Sequence, residues 1–137
     1  MAFTNPSNEQ IKEILHQYKN VAVVGLSDNP ERTSYMVSQA MQKAGYKIIP
    51  VNPNVSEVLE EKAYSSLSEV KEKVDIVNVF RRSEFLPSIA KEAVSIEAPV
   101  FWAQLGVVDE EAAAYLLENK VKTVMDRCIK VEHAKFK

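Results

Sequence analysis

The residues best equipped for chemistry lie in one turn, Gly25-Leu26-Ser27-Asp28-Asn29-Pro30-Glu31-Arg32-Thr33-Ser34-Tyr35, which follows the apolar run Val21–Val24. Gly25 lets the chain reverse sharply and lets a ligand approach the backbone. A helix capped by Thr33 or Ser34 would present unpaired N–H groups and a partial positive charge, a seat for phosphate. Ser27, Thr33 and Ser34 add hydroxyl donors, and Arg32 offers a guanidinium to a phosphate oxygen. The pattern is not G-x-G-x-x-G, so by itself the turn also fits a plain tight reversal followed by a helix cap.

Three further loops follow apolar runs. After Lys47–Val51 come Asn52 and Pro53, where dinucleotide sites usually carry an acid for the ribose 2′-hydroxyl. Here the nearest acid is Glu57, which argues against NAD. After Val74–Phe80 stand Arg81 and Arg82, a guanidinium pair suited to phosphate or carboxylate; the bland alternative pairs one with Glu84 or Asp28 and leaves the other in water. After Pro99–Trp102 come Gln104, Leu105 and Gly106, an amide side chain able to hydrogen-bond and a second close backbone approach, whereas Trp102 reads as core. The fifth run ends in Asp126-Arg127-Cys128, in which the first two are expected to pair with each other.

Several chemistries find no residues. No G-x-S-x-G elbow or G-x-x-x-x-G-K-[ST] loop is present. A phospho-acceptor receiver domain lacks its carboxylates after the first and third runs. His16 and His133 fall in outer helical segments, so no nucleophile, base and orienting group can be assembled. The single cysteine, Cys128, excludes an internal disulfide and a cysteine-based structural zinc site. It reads either as a buried inert thiol or as a partner for a ligand thiol near the fifth run.

The elements that must position these loops follow from periodicity. The runs Val21–Val24, Lys47–Val51, Val74–Phe80, Pro99–Trp102 and Val121–Met125 are short and nearly continuously apolar, the pattern of strands buried on both faces. Their spacing of roughly 22–28 residues is that of βαβ units. Ser7 should cap a helix through Tyr18, with Ile11, Ile14, Leu15 and Tyr18 on one face. A second helix carries Met36, Val37, Ala40 and Met41 inward and stops at Gly45. Ser83-Glu84 opens a third, with Pro87 in its first turn, and Val108-Asp109 a fourth. Asp126 to Lys137 forms a closing helix, while Val55–Val70 is irregular and anchored by Val58, Leu59 and Leu67. Alternating helices and strands predict an α/β fold of three layers, α/β/α, with a five-stranded parallel sheet and ligand at the carboxyl ends of the strands.

Composition sets outer bounds. The 137 residues are 46% hydrophobic and 26% charged with a formal net charge of -2, so there is no basic footprint for nucleic acid or an anionic membrane. No apolar run reaches the length of a membrane span, and the first residues lack a signal-peptide pattern. The expectation is one cytoplasmic, soluble domain over residues 1–137.

The segments VAVVGLS, RTSYMV, GYKIIPVNP, VDIVNVFRRSE, VFWAQLGV and MDRCIKVE, in this order, resemble the small stand-alone CoA-binding protein family, related to the nucleotide-binding domain of the succinyl-CoA synthetase alpha subunit. The resemblance runs from about Asn20 to His133. It implies a Rossmann-like sheet with strand order 3-2-1-4-5 and coenzyme A along its carboxyl edge. Gly25, Ser27, Arg32, Thr33, Ser34 and Tyr35 would then hold the phosphates, Asn52 and Pro53 would border the adenosine with Arg81 or Arg82 nearby, and Gln104, Leu105 and Gly106 would line the rest. The turn departs from the glycine-rich form in having Asp28-Asn29-Pro30-Glu31 in place of small residues. The expected function is binding of CoA or acyl-CoA without catalysis of its own, alone, as a homo-oligomer or beside an enzyme. The alternative is a small nucleotide-dependent enzyme, acyl-CoA or NAD(P) linked, completed by a partner chain.

Overall fold

The computed structural model describes residues 3–136. Lys137, the expected end of the closing helix, lies outside them. Five parallel strands form the sheet: β1 (Asn20–Val24), β2 (Lys47–Val51), β5 (Ile76–Val79), β6 (Val100–Ala103) and β7 (Lys122–Val124). A separate antiparallel hairpin, β3 (Glu57–Val58) and β4 (Glu61–Lys62), stands in the connection from β2 to β5. Helices α1 (Asn8–Gln17), α2 (Thr33–Lys43), α3 (Leu86–Ser95), α4 (Glu110–Glu118) and α5 (Ile129–Phe136) cover the sheet.

Strand alternation divides the core into two layers. Val21 and Val23 of β1 face α1, α2 and α5 and pack with Ile11, Leu15, Val37, Met41 and Ile129. Ala22 and Val24 face α3 and α4 and pack with Leu86, Ile89, Ala90, Ala112 and Leu116. Every residue of β5 and β6 is buried, as expected of strands covered on both sides. The buried Trp102 ties this core to the loop after β7 by donating its indole N–H to the carbonyl of Arg127 at 2.8 Å.

The α/β/α layering and the Rossmann-like topology are as expected, with one refinement of detail. Counted along the chain, the five strands of the sheet run 2-1-3-4-5, with β5 directly against β1. The place outside β2 is held by one parallel bridge, Val51 to Tyr64. Tyr64 N–H donates to the Pro50 carbonyl at 3.0 Å, and Asn52 N–H to the Tyr64 carbonyl at 2.8 Å. The chain then leaves the edge through a 3₁₀ turn, Leu67–Glu69, which buries Leu67 against the α3 face. With the bridge counted as a one-residue third strand the order 3-2-1-4-5 is obtained, and β7 is added outside it.

Helix ends show which local signals act. Ser7 caps α1 in a reciprocal capping box with Gln10, and Asp109 caps α4 through Ala112 N–H at 2.8 Å. Helix α3 begins at Leu86, after a 3₁₀ turn at Ser83–Phe85, with Pro87 in its first turn. The expected cap of α2 is overturned. Arg32 is the N-cap residue and makes no side-chain cap, because Ser34 already lies inside the helix with its hydroxyl turned to the preceding loop. The buried stripe of α2 is accordingly Ser34, Val37, Ser38 and Met41, and the expected core residue Met36 is 48% exposed.

Just past the outer edge strand β7, the backbone is met by Asn5. Lys122 N–H donates inward to Pro99, so by alternation Met125 points its backbone groups outward. The Asn5 side chain takes both: its amide donates to the Met125 carbonyl and its carbonyl accepts the Met125 N–H, each at 2.8 Å.

Candidate nucleotide-binding site

The carboxyl ends of β1 and β5 meet where the chain leaves the sheet in opposite directions. Gly25 stands at this switch point with φ +90 and donates its N–H to the Val51 carbonyl at 2.8 Å. A Cβ there would lie 2.6 Å from the Phe80 carbonyl oxygen and 3.0 Å from Arg81 Cδ. Only glycine lets the two loops approach so closely.

The turn after Gly25 is held by its own side chains. Ser34 Oγ accepts Ser27 N–H, Ser27 Oγ accepts Asn29 N–H, and Asn29 Oδ1 accepts Glu31 N–H, each at 3.0 Å. Both serine hydroxyls therefore act as acceptors within the loop, and Ser34 is buried. Asp28, Glu31, Arg32 and Thr33 are exposed, Tyr35 is half-buried, and none of the loop's charged side chains forms an ion pair among the described residues. An uncapped helix N-terminus without an acid in its first turn is what remains, with the anion-binding polarity of such ends.

Asn52 also braces the frame. Its amide donates to the Leu26 carbonyl at 3.0 Å and its oxygen accepts Asn54 N–H at 2.9 Å, fastening the first loop to the second. Pro53 beside it is exposed. The two arginines differ. Arg82 pairs its Nε with Glu84 at 3.4 Å, whereas Arg81 has no carboxylate partner among the described residues and lies 4.3 Å over the Phe85 ring. Gln104 is buried, and its Oε1 accepts from Asn78 Nδ2 at 3.0 Å and Ile129 N–H at 3.1 Å, leaving its N–H₂ for a ligand. Leu105 is 71% exposed. Gly106, at φ +83, donates its N–H to the Asp126 carboxylate at 2.7 Å. The expected Asp126–Arg127 pair is therefore replaced: the carboxylate serves the loop, and the Arg127 guanidinium takes the Asp126 carbonyl instead.

These loops enclose two hollows that meet at Arg81. A cleft of about 440 Å³ lies between the Gly25 and Asn52–Asn54 loops and α3. A wider hollow of about 710 Å³ runs from Thr33 past Arg82 to Gln104, Leu105, Gly106 and Cys128. Of the residues singled out in the sequence, Gly25, Asn52, Pro53 and Arg81 line the first and Thr33, Arg81, Arg82, Gln104, Leu105 and Gly106 the second, whereas Ser27, Arg32, Ser34 and Tyr35 line neither. Sequence reading missed Ser65, Ser66, Phe85, Ser88 and Glu92, which line the first cleft. The first two serines fall in the irregular connection, and no local signal announces that the chain doubles back past the end of β2. His16 lies away from both hollows, its ring against the Phe136 carbonyl, and His133 packs edge-on to Tyr46 at 5.4 Å.

The profile of the CoA binding domain family matches residues 19–134. The chain belongs to that family. As a CoA binding domain protein it is 61% identical over 130 residues to the uncharacterized protein YneT of Bacillus subtilis, covering 95% of this chain and 96% of YneT. The acetate–CoA ligase (ADP-forming) of Methanocaldococcus jannaschii is 25% identical over 111 residues, which are 80% of this chain and only 15% of the ligase. Among solved structures, a hypothetical protein from Pyrococcus horikoshii OT3 superposes with a TM-score of 0.92 at 33% identity, covering 99% of both chains. The Rossmann-like α/β fold is thus common to this CoA binding domain protein and the Pyrococcus horikoshii protein. Among the described residues no helix is long and apolar enough to cross a membrane.

Proposed function

We propose that this chain binds coenzyme A along the carboxyl edge of its sheet, as one module spanning residues 1–137 in the cytoplasm, and performs no catalysis of its own. The observation that carries the reading is the Gly25–Arg81 saddle. It joins two hollows of unequal shape beside an uncapped helix N-terminus, as a ligand with a central diphosphate and two dissimilar arms requires. The donor set suits that group: first-turn N–H groups of α2, the exposed Thr33 hydroxyl and the Arg81 guanidinium, with Ser27 and Ser34 bracing the turn behind them. Adenosine then occupies the cleft bounded by Asn52 and Pro53. The pantetheine arm follows the hollow of Gln104, Leu105 and Gly106. The neutral Asn52-Pro53-Asn54 loop offers no carboxylate to a nicotinamide dinucleotide's ribose.

Thermal shift with CoA, NAD, NADP and ADP tests this directly, and equal stabilisation by all four refutes it. Arg81→Ala should weaken CoA by tenfold or more, given about 1.5–3 kcal/mol for a hydrogen bond to a charged group, while Arg82→Ala, already paired with Glu84, should change it only about threefold or less. Equal losses at both positions refute the saddle as the phosphate site.

The ligase relatives favour a second reading, in which a domain of this kind completes a catalytic site with a partner chain. Turnover of an acyl-CoA by the isolated protein would replace the first reading with an enzymatic one.

A further inference from the structure

Beyond the end of β2 lies a third hollow, of about 560 Å³, walled by the Asn52-Pro53 loop, Tyr64 and Ser65. It shares Asn52, Pro53 and Ser65 with the cleft proposed for adenosine, so the two spaces adjoin there. Lys62 and Lys71 line it, and neither forms an ion pair among the described residues. Lys62 Nζ stands 5.6 Å from the Tyr64 ring centre. The contrast is Lys47 on the same edge, which Glu61 and Glu72 hold at 3.2 and 3.5 Å. The one carboxylate in the lining, Glu69, accepts from the hydroxyls of Ser65 and Ser66 and is thereby drawn to its own turn.

Two unpaired ammonium groups around an open hollow suit a compact dianion, and a phosphate monoester carries close to two negative charges at neutral pH. The neutral Asn52-Pro53-Asn54 loop leaves the way to such a group free of repulsion. We infer that this hollow is a phosphomonoester subsite in which Lys62 and Lys71 read the ribose-bound phosphate of the nucleotide. The inference rests on the coenzyme A reading above and adds to it the feature that separates CoA from its dephosphorylated form.

Calorimetric titration with CoA and dephospho-CoA tests it, on the wild type and on a Lys62→Gln/Lys71→Gln double variant. Both positions are exposed, and a urea midpoint checks that the variant folds. The wild type should prefer CoA by roughly tenfold, with the preference shrinking as salt is raised. The double variant should bind both ligands within about twofold of each other, at the wild-type affinity for dephospho-CoA. If the wild type binds the two alike, or the variant keeps the preference or loses affinity for both equally, the subsite is refuted while the CoA reading stands. If neither ligand binds, both readings fall.

Discussion

Replacing Gly25 with alanine adds one methyl group at the point where the two ligand loops touch. Two costs follow. A residue with a side chain at φ +90 loses about 1–2 kcal/mol in the left-handed region. The new Cβ, 2.6 Å from the Phe80 carbonyl oxygen, must also push apart backbones fixed by Phe80 N–H to Val24 and Gly25 N–H to Val51, both at 2.8 Å. Overpacking of this kind costs about 1–3 kcal/mol, for a total of about 2–5 kcal/mol. Gly45→Ala is the matched control, because Gly45 has φ +103 but nothing within 4 Å of the place its Cβ would take, so it bears the first cost alone. Urea unfolding at an unchanged m of about 2 kcal/mol/M should move the midpoint down by about 1–2.5 M for Gly25→Ala and about 0.5–1 M for Gly45→Ala. Because Arg81 Cδ is 3.0 Å from the same point, CoA affinity should fall with Gly25→Ala and hold with Gly45→Ala. Equal midpoints for the two variants would refute the argument that close approach, rather than backbone conformation, selects glycine at position 25.

Burial raises the Tyr46 hydroxyl above its ordinary value of 10.0, and that hydroxyl donates to the Leu15 carbonyl at 2.6 Å. The unfolded chain releases this proton first, so the contribution is complete below about pH 10 and is lost as pH rises through the raised folded value. Tyr46→Phe should cost about 1 kcal/mol at pH 7, and its stability should fall less steeply than the wild type's above about pH 10; parallel curves would contradict the assignment. The two-residue loop of the β3–β4 hairpin places Leu59 and Glu60 at φ 54 and 64, a conformation suited to glycine. Glu60→Gly should therefore stabilise the protein by about 0.5–1 kcal/mol in urea unfolding, and any loss of stability would count against that reading.

The same hairpin shows where sequence reading stops. The strand within Val74–Phe80 is legible because five of those seven residues are apolar, a signal that two covering layers impose. The β3–β4 turn carries Leu59-Glu60 instead of an Asn-Gly pair, so nothing local announces it. Strand order is equally silent, since apolar runs alike in composition do not tell whether β5 joins β1, as it does, or β2. At the candidate site the loops were legible from glycines, hydroxyls and arginines, but the division of labour was not. Ser34, Asn52 and Gln104 look like ligand groups in sequence, yet each gives acceptor oxygen to the frame, through contacts with Ser27, Asn54 and Ile129 that only folding creates. Arg81 and Arg82, adjacent and chemically identical, both lie over Phe85 and are told apart by the Glu84 carboxylate beside Arg82 and the closeness of Arg81 to Gly25.

The clasp of Asn5 on Met125 has a consequence for how copies of this chain meet. An open rim of a parallel sheet is a template for further strands, and stacked rims grow into fibrils. One rim here is interrupted at Met125 by a side chain that mimics a neighbouring peptide, and the other is overlaid by the Tyr64 crossing. Continuing the sheet at either rim would have to displace one of these contacts, while the carboxyl edge between them carries no such cover.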